Sequence, residues 1–171
     1  MAEYQPAGPY VIIRSKKRKG KAFELLMFED YGFLVGLYEQ MEQAKSTKPN
    51  LAHQHLRWLM ARGEDRQPKM LCPHCQERPV AYFSLLSSRE GISVGVPYTC
   101  CENPDCRGKV EAQGAWHHLP FHRFQFSVQS LLESKFDRRQ LAEFYRIIFQ
   151  LPRRLTRQEA FKFFNEPGVP G

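Results

Sequence analysis

Two pairs of cysteines constrain this chain more than any other feature: Cys72 and Cys75 stand two residues apart in CPHC, and Cys101 and Cys106 stand four apart in CENPDC, with twenty-five residues between the pairs. A CPxC turn aims two sulfurs to one side of a tight loop and leaves the following backbone N–H groups facing them. A second knuckle supplies the other two sulfurs, and four thiolates about 2.3 Å from a tetrahedral ion close a zinc site. A closed site keeps no open coordination position, so one structural Zn²⁺ is expected, held by Cys72, Cys75, Cys101 and Cys106. The fifth thiol leaves an alternative open. Cys100 in place of Cys101 lengthens the second knuckle by one residue; Cys101 is preferred, and Cys100 is then a small buried thiol.

Other uses of these cysteines fit less well. Five is an odd number for a disulfide frame, and the opening MAEYQPAGPY lacks the charged-then-apolar layout of a secretion signal. No run of 18 apolar residues occurs, so the expectation is a cytoplasmic protein without a membrane span. A redox use of CPHC requires the motif to open a helix after a strand, and here β-rich sequence follows it. VAYFSLL and ISVGVPYTC flank SSREG, which reads as a hairpin between the knuckles: a zinc ribbon. His117 and His118 read as strand-end or packing residues because four thiolates already satisfy the ion.

Around this module the chain reads as α+β, with 42% apolar residues to build a core. Residues 1–69 form an N-terminal part of hairpin and helices. Val11 to Ile13 and Ala22 to Phe23 read as short strands joined by a basic turn closing on Gly20. FEDYGFLVGLYEQMEQAK has Phe33, Leu34, Leu37 and Met41 at helical steps, weakened by Gly36 by about 1 kcal/mol. Asn50 is an N-cap for LAHQHLRWLMARG, with Gly63 as its stop. The ribbon takes 70–126, ending in FHRFQFSV, where His122, Phe124 and Phe126 alternate with Arg123 and Gln125. Residues 127–171 form a helical tail: FDRRQLAEFYRIIFQL, with Leu141, Phe144, Tyr145 and Ile148 inward and Pro152 as its end, then TRQEAFKFF with a capping box of Thr156 and Glu159.

Net charge is +7, which favours encounter with polyanions. Arg14, Lys16, Lys17, Arg18, Lys19 and Lys21 crowd one turn; six cations within eight residues repel one another unless solvated or facing an anion, so the turn is the first candidate for phosphate contact. Arg78, Arg107 and Lys109 flank the knuckles, where they also offset the charge of a metal tetrathiolate. Arg138, Arg139, Arg153, Arg154 and Arg157 read as solvated surface around the tail. Tyr82, Phe83 and Tyr98 on the hairpin strands either stack on unpaired bases or fill the hairpin's own core. No acidic cluster, Gly-rich phosphate loop or GxSxG elbow is present, so no enzyme is expected.

The run CPHCQERPVAYFSLLSSREGISVGVPYTCCENPDC resembles the Ogr/Delta zinc-finger family of phage late-gene transcription activators over residues 70–112. Cys72, Cys75, Cys101, Asn103 and Cys106 match that family's pattern of a CPxC pair and a C-x-N-x-x-C pair about a hairpin. The resemblance implies a zinc-dependent, DNA-binding regulator. KGKAFELLMFEDYGFLVGLYEQ, within residues 11–60, is similar to the small C-terminal domain of exodeoxyribonuclease X-like proteins through Lys19, Gly20, Lys21, Phe23, Asp30, Phe33 and Leu34, which implies a non-catalytic appendage of a DNA enzyme. Together they make a prokaryotic or phage factor that binds nucleic acid, DNA before RNA, the expected function. The competing expectation is a zinc-stabilised interaction adaptor whose Phe-rich tail, FYRIIF and FKFF, docks a partner protein or a second copy.

Overall fold

The computed structural model describes residues 4–13, 16–44, 50–84, 86–88, 91–93, 98–113, 121–131 and 135–166. Arg14, His117 and His118, named above, lie outside them. Within the described residues the fold is mixed, as expected: six helices, a three-stranded antiparallel sheet of order β4-β1-β5 and a separate two-stranded ladder, β2-β3. No described helix is long and apolar enough to cross a membrane. Two compact units form, one from residues 1–66 with 154–171 and one from 67–153. These bounds differ from the three-part division at 69 and 126 in that the helical tail is divided between the two units.

The first unit holds α1 (Phe23–Glu29), α2 (Tyr31–Gln43), α3 (Leu51–Glu64) and α6 (Arg157–Asn165). The hairpin expected at its start reduces to one antiparallel bridge, Val11 to Ala22, with Gly20 at φ +82° in the turn. Phe23 opens a helix instead of closing a strand, because Phe23, Leu26 and Met27 then share one buried face. Asn50 caps α3 as predicted, its side chain accepting from the Ala52 and His53 N–H groups. Gly63, expected as the stop, is inside the helix and buried, and Asp65 follows at the cap. α6 carries the predicted capping box, Thr156 and Glu159 each accepting from the other's backbone N–H.

Why α6 belongs to this unit is visible in its contacts. Phe163 and Phe164 lie 5.9 and 5.8 Å from the Phe28 ring, centroid to centroid. At its C-terminal end the orphan carbonyls receive arginine donors from α3 and just beyond: Arg62 donates to Phe164, Asn165 and Glu166, and Arg66 to Phe164 and Glu166. A polar network sits in the same core. His55 Nε2 and Glu24 Oε1 are 2.6 Å apart, His55 Nδ1 meets the Tyr4 hydroxyl at 3.0 Å, and the Tyr10 N–H donates to Glu24 at 3.3 Å. It ties the N-terminal lead-in to α1 and α3.

The second unit holds β1 (Tyr82–Phe83), β2 (Leu86–Ser88), β3 (Gly91–Ser93), β4 (Thr99–Cys100), α4 (Pro104–Gln113), β5 (His122–Arg123), a short 3-10 helix (Phe126–Leu131) and α5 (Lys135–Ile148). FHRFQFSV is thus strand for only two residues, although Phe124 and Phe126 are buried and Arg123 exposed as its alternation predicts. The core is aromatic: Phe83 packs 4.8 Å from Phe124 and edge-on to Tyr145, whose hydroxyl donates to the Gln125 carbonyl at 2.7 Å. Leu141, Phe144, Tyr145 and Ile148 of α5 all face inward. That helix ends before Pro152. Gln150 takes φ +55°, and the Leu151 and Gln150 N–H groups donate back to Arg146 and Ile147, a Schellman closure with Gln where Gly is usual.

Most of the tail's aromatic rings are covered within their own units, while Ile147 is exposed. Phe144, Tyr145 and Phe149 are buried in the second unit and Phe163 and Phe164 in the first, while Phe161 is half-buried beside Trp58.

Candidate metal centre

Local turn chemistry brings the first two sulfurs together. From Cys72 the chain turns so that the Gln76 N–H donates to the Cys72 carbonyl at 2.8 Å, and Gln76 adopts φ +57°. A non-glycine residue in that region costs energy, of order 1 kcal/mol, and persists only where surroundings enforce it. Here the Cys72 N–H donates to the Arg78 carbonyl at 2.7 Å, and Leu71 bridges Pro79, which closes the loop. The backbone N–H groups of Glu77 and Arg78 then point at Cys75, and these donors hold its thiol down at about 7.

The second pair is built differently from a second knuckle. Thr99 and Cys100 pair with β1, and the chain leaves the sheet at Cys101 and enters α4. Asn103 starts the helix: its side-chain oxygen accepts from the Asp105 N–H at 2.9 Å, and its carbonyl accepts from Cys106 and Arg107 at 3.1 Å each. Pro104 follows at the first helical position, where a missing N–H costs nothing. Cys106 therefore lies in the first turn, where the positive end of the helix dipole favours thiolate charge. Asn103 and Pro104 were the signal for α4 that the sequence reading passed over.

The four sulfurs of Cys72, Cys75, Cys101 and Cys106 all lie within 4.8 Å of one another, and those of Cys75 and Cys101 are 3.8 Å apart. A tetrahedron of metal–sulfur bonds near 2.3 Å has edges of about 3.8 Å, so the donor set and its dimensions fit a soft tetrahedral cation. The five cysteines are unbridged. Without a cation, burial keeps part of the set protonated: it raises Cys101 and pushes Cys106 up to about 12, so neither thiol ionises readily. A bound divalent ion reverses that, since a coordinating thiol is deprotonated outright. Cys100 is outside the group; burial, then the neighbouring Cys72 and Cys101, push it up to about 11. Among the described residues no second group of three or more His, Cys, Asp or Glu side chains converges in this way.

The basic candidates fall into two kinds. Lys16, Lys17 and Lys19 are exposed on the turn. Arg18 and Lys21 are turned to local use: the Arg18 Nε donates to Asp30 at 2.9 Å with its guanidinium 4.0 Å over the Phe33 ring, and Lys21 pairs with Glu29. Arg78 and Lys109 are exposed beside the cysteines. Arg107 is exposed too, paired with Glu111 at 3.2 Å and 4.6 Å over the Phe121 ring.

Fold and site together define an α+β protein with a four-cysteine centre of metal-binding geometry. No family model, curated protein or solved structure matches the chain.

Proposed function

We propose that this chain is a non-catalytic nucleic-acid-binding factor, acting on DNA in preference to RNA, whose middle is a ribbon-like module stabilised by one structural zinc ion. Zinc is the choice among soft cations because a single ion with four thiolates in a tetrahedral cage, with no open position, is its structural mode. A regulatory role of prokaryotic or phage type follows from the resemblance at Cys72, Cys75, Cys101, Asn103 and Cys106.

The observation that carries the reading is the turn at residues 16–20. Arg18 pairs with Asp30, between α1 and α2, and Lys21 with Glu29 of α1, which holds the turn in place, while Lys16, Lys17 and Lys19 remain presented to solvent. A turn whose backbone is already held presents three ammonium groups at a smaller ordering cost when an anion arrives, and phosphate is the anion that recurs along a nucleic-acid strand. A titration of labelled DNA and RNA, single- and double-stranded, at low salt tests it. Binding is expected, with log affinity falling linearly with log salt concentration, and the triple charge reversal K16E/K17E/K19E is expected to weaken it by about tenfold or more. Absence of binding to all of these nucleic acids overturns the proposal.

A further inference from the structure

The three-stranded sheet of the second unit has two unlike faces. In its ladders Phe83 stands opposite Thr99 and His122, and this side packs into the core, with Phe124 and Phe144 at 4.8 and 6.2 Å from the Phe83 ring. Tyr82 stands opposite Cys100 and Arg123 on the other side. There the Arg123 guanidinium lies 5.6 Å from the Tyr82 ring centroid and its Nη2 is 3.4 Å from the Tyr82 hydroxyl. Two residues before Arg123, and by strand alternation on the same side, Phe121 is half-buried beneath Arg107 at 4.6 Å. This face therefore carries two rings, each paired with an arginine, and is covered at β4, where Cys100 opposite Tyr82 is buried.

We propose that this outer face, centred on Tyr82 and Arg123, is a stacking platform for unpaired nucleobases, so that the preferred ligand is single-stranded nucleic acid or a locally opened duplex. The inference rests on the nucleic-acid reading above and narrows it. A ring at a sheet surface with a guanidinium lying over it couples a π system to a cation, and a base that stacks on the ring while its phosphate takes the guanidinium uses both at once. In a closed duplex the base faces are covered by their neighbours, so a side chain standing on a sheet cannot reach them; a ligand read only through phosphates has no use for the rings. Charge on this face comes from Arg123 and Arg107, both exposed, which suits a polyanion. Each arginine has an acid beside it, Glu102 at 3.6 Å from Arg123 and Glu111 at 3.2 Å from Arg107, in pairs whose side chains are all more than half exposed, and such pairs are weak enough for a phosphate to displace.

The test is a fluorescence-anisotropy titration of the full, zinc-loaded chain with a short DNA strand of mixed sequence, the RNA strand of the same sequence and the DNA duplex. Tighter binding to either single strand than to the duplex is expected, and the ratio of the two strands identifies the source of the bases. Tyr82→Ala should weaken strand binding by about tenfold with the salt dependence unchanged, and Tyr82→Trp should preserve it. Arg123→Gln, at an exposed position, should weaken strand binding and flatten the salt dependence, and it decides the matter with Tyr82→Trp if the alanine variant loses its metal or fold. Strand affinity unchanged in both Tyr82→Ala and Arg123→Gln overturns the platform. Duplex binding as tight as strand binding also overturns it while leaving the wider reading intact, and binding to none of the three ligands overturns the wider reading itself.

Discussion

Adjacent residues Cys100 and Cys101 are given opposite tasks by one step of backbone. Cys100 is the last residue of β4, opposite Tyr82, and its thiol is fully buried; Cys101 is the first residue off the sheet, with its sulfur 3.8 Å from that of Cys75. The Cys100 sulfur falls outside the group of four that lie within 4.8 Å of one another, whereas Cys101 lies where a cation would share its charge with three more sulfurs. Replacing Cys100 by Ala should therefore leave one metal ion per chain, at a cost of about 1 kcal/mol for the small void. Cys101→Ser and Cys106→Ser should each fall well short of one ion per chain. Metal analysis of the purified variants, with urea unfolding for the stability difference, checks both arms; loss of metal from the Cys100 variant would reverse the assignment. The cysteine pairs were legible in the sequence because ligand spacing is a local property. The Glu24–His55 contact was not, because two buried polar residues 31 positions apart leave no local pattern.

At the scale of elements, legibility followed amphipathicity and caps. α3, α5 and α6 were readable because each has either a clean apolar stripe or a matched cap. Only the start of α1 reads as strand, at Ala22 to Phe23, with the helical pattern beginning at Phe28: FELLMFE is apolar around most of its circumference, so no helical period stands out, and only the burial of Phe23, Leu26, Met27 and Phe28 on its neighbours reveals why it coils. α4 failed for the opposite reason. PDCRGKVEAQ buries only Cys106 and Val110, so its helicity rests on the Asn103 cap and the pull of the sulfur cluster. Both α2 and α4 contain a glycine with open space where a Cβ would stand, Gly36 and Gly108, each with nothing within 4 Å. Neither has a positive φ. Gly36→Ala and Gly108→Ala should each stabilise their own unit by roughly 0.5–1 kcal/mol, through helix propensity and a less flexible unfolded chain. Thermal unfolding followed by circular dichroism measures it, and a fall in midpoint for either variant would mean that the added methyl meets something the fold needs.

The whole molecule sets a problem of connectivity that no local pattern announces. The first unit is discontinuous: its chain leaves after Arg66 and returns at Arg154, so the second unit is an insertion within it. The tail looked like one helical part because Pro152 reads as a simple break, whereas its division depends on contacts such as Arg62 to the Phe164 carbonyl, 102 residues apart. All four sulfurs lie inside the insertion, and the first unit has an apolar core of its own in Phe23, Leu26, Leu56, Leu59 and Phe164. Metal binding to a small four-cysteine module is worth on the order of 10 kcal/mol, comparable with the stability of a domain, so removing the ion should unfold residues 67–153. That change converts the insertion into a loop, and loop closure penalises the first unit only logarithmically, about 0.6 kcal/mol for each doubling of length. Far less is lost there than in the insertion. Hydrogen exchange after chelation should therefore show protection collapsing in β1, β4, α4 and α5 while the amides of α1, α2 and α3 stay protected, with α6 loosened but still docked through Arg62 and Arg66. Protection retained in the insertion would show that its aromatic core around Phe83, Phe124 and Tyr145 suffices without metal, and simultaneous collapse of both units would show that they fold as one.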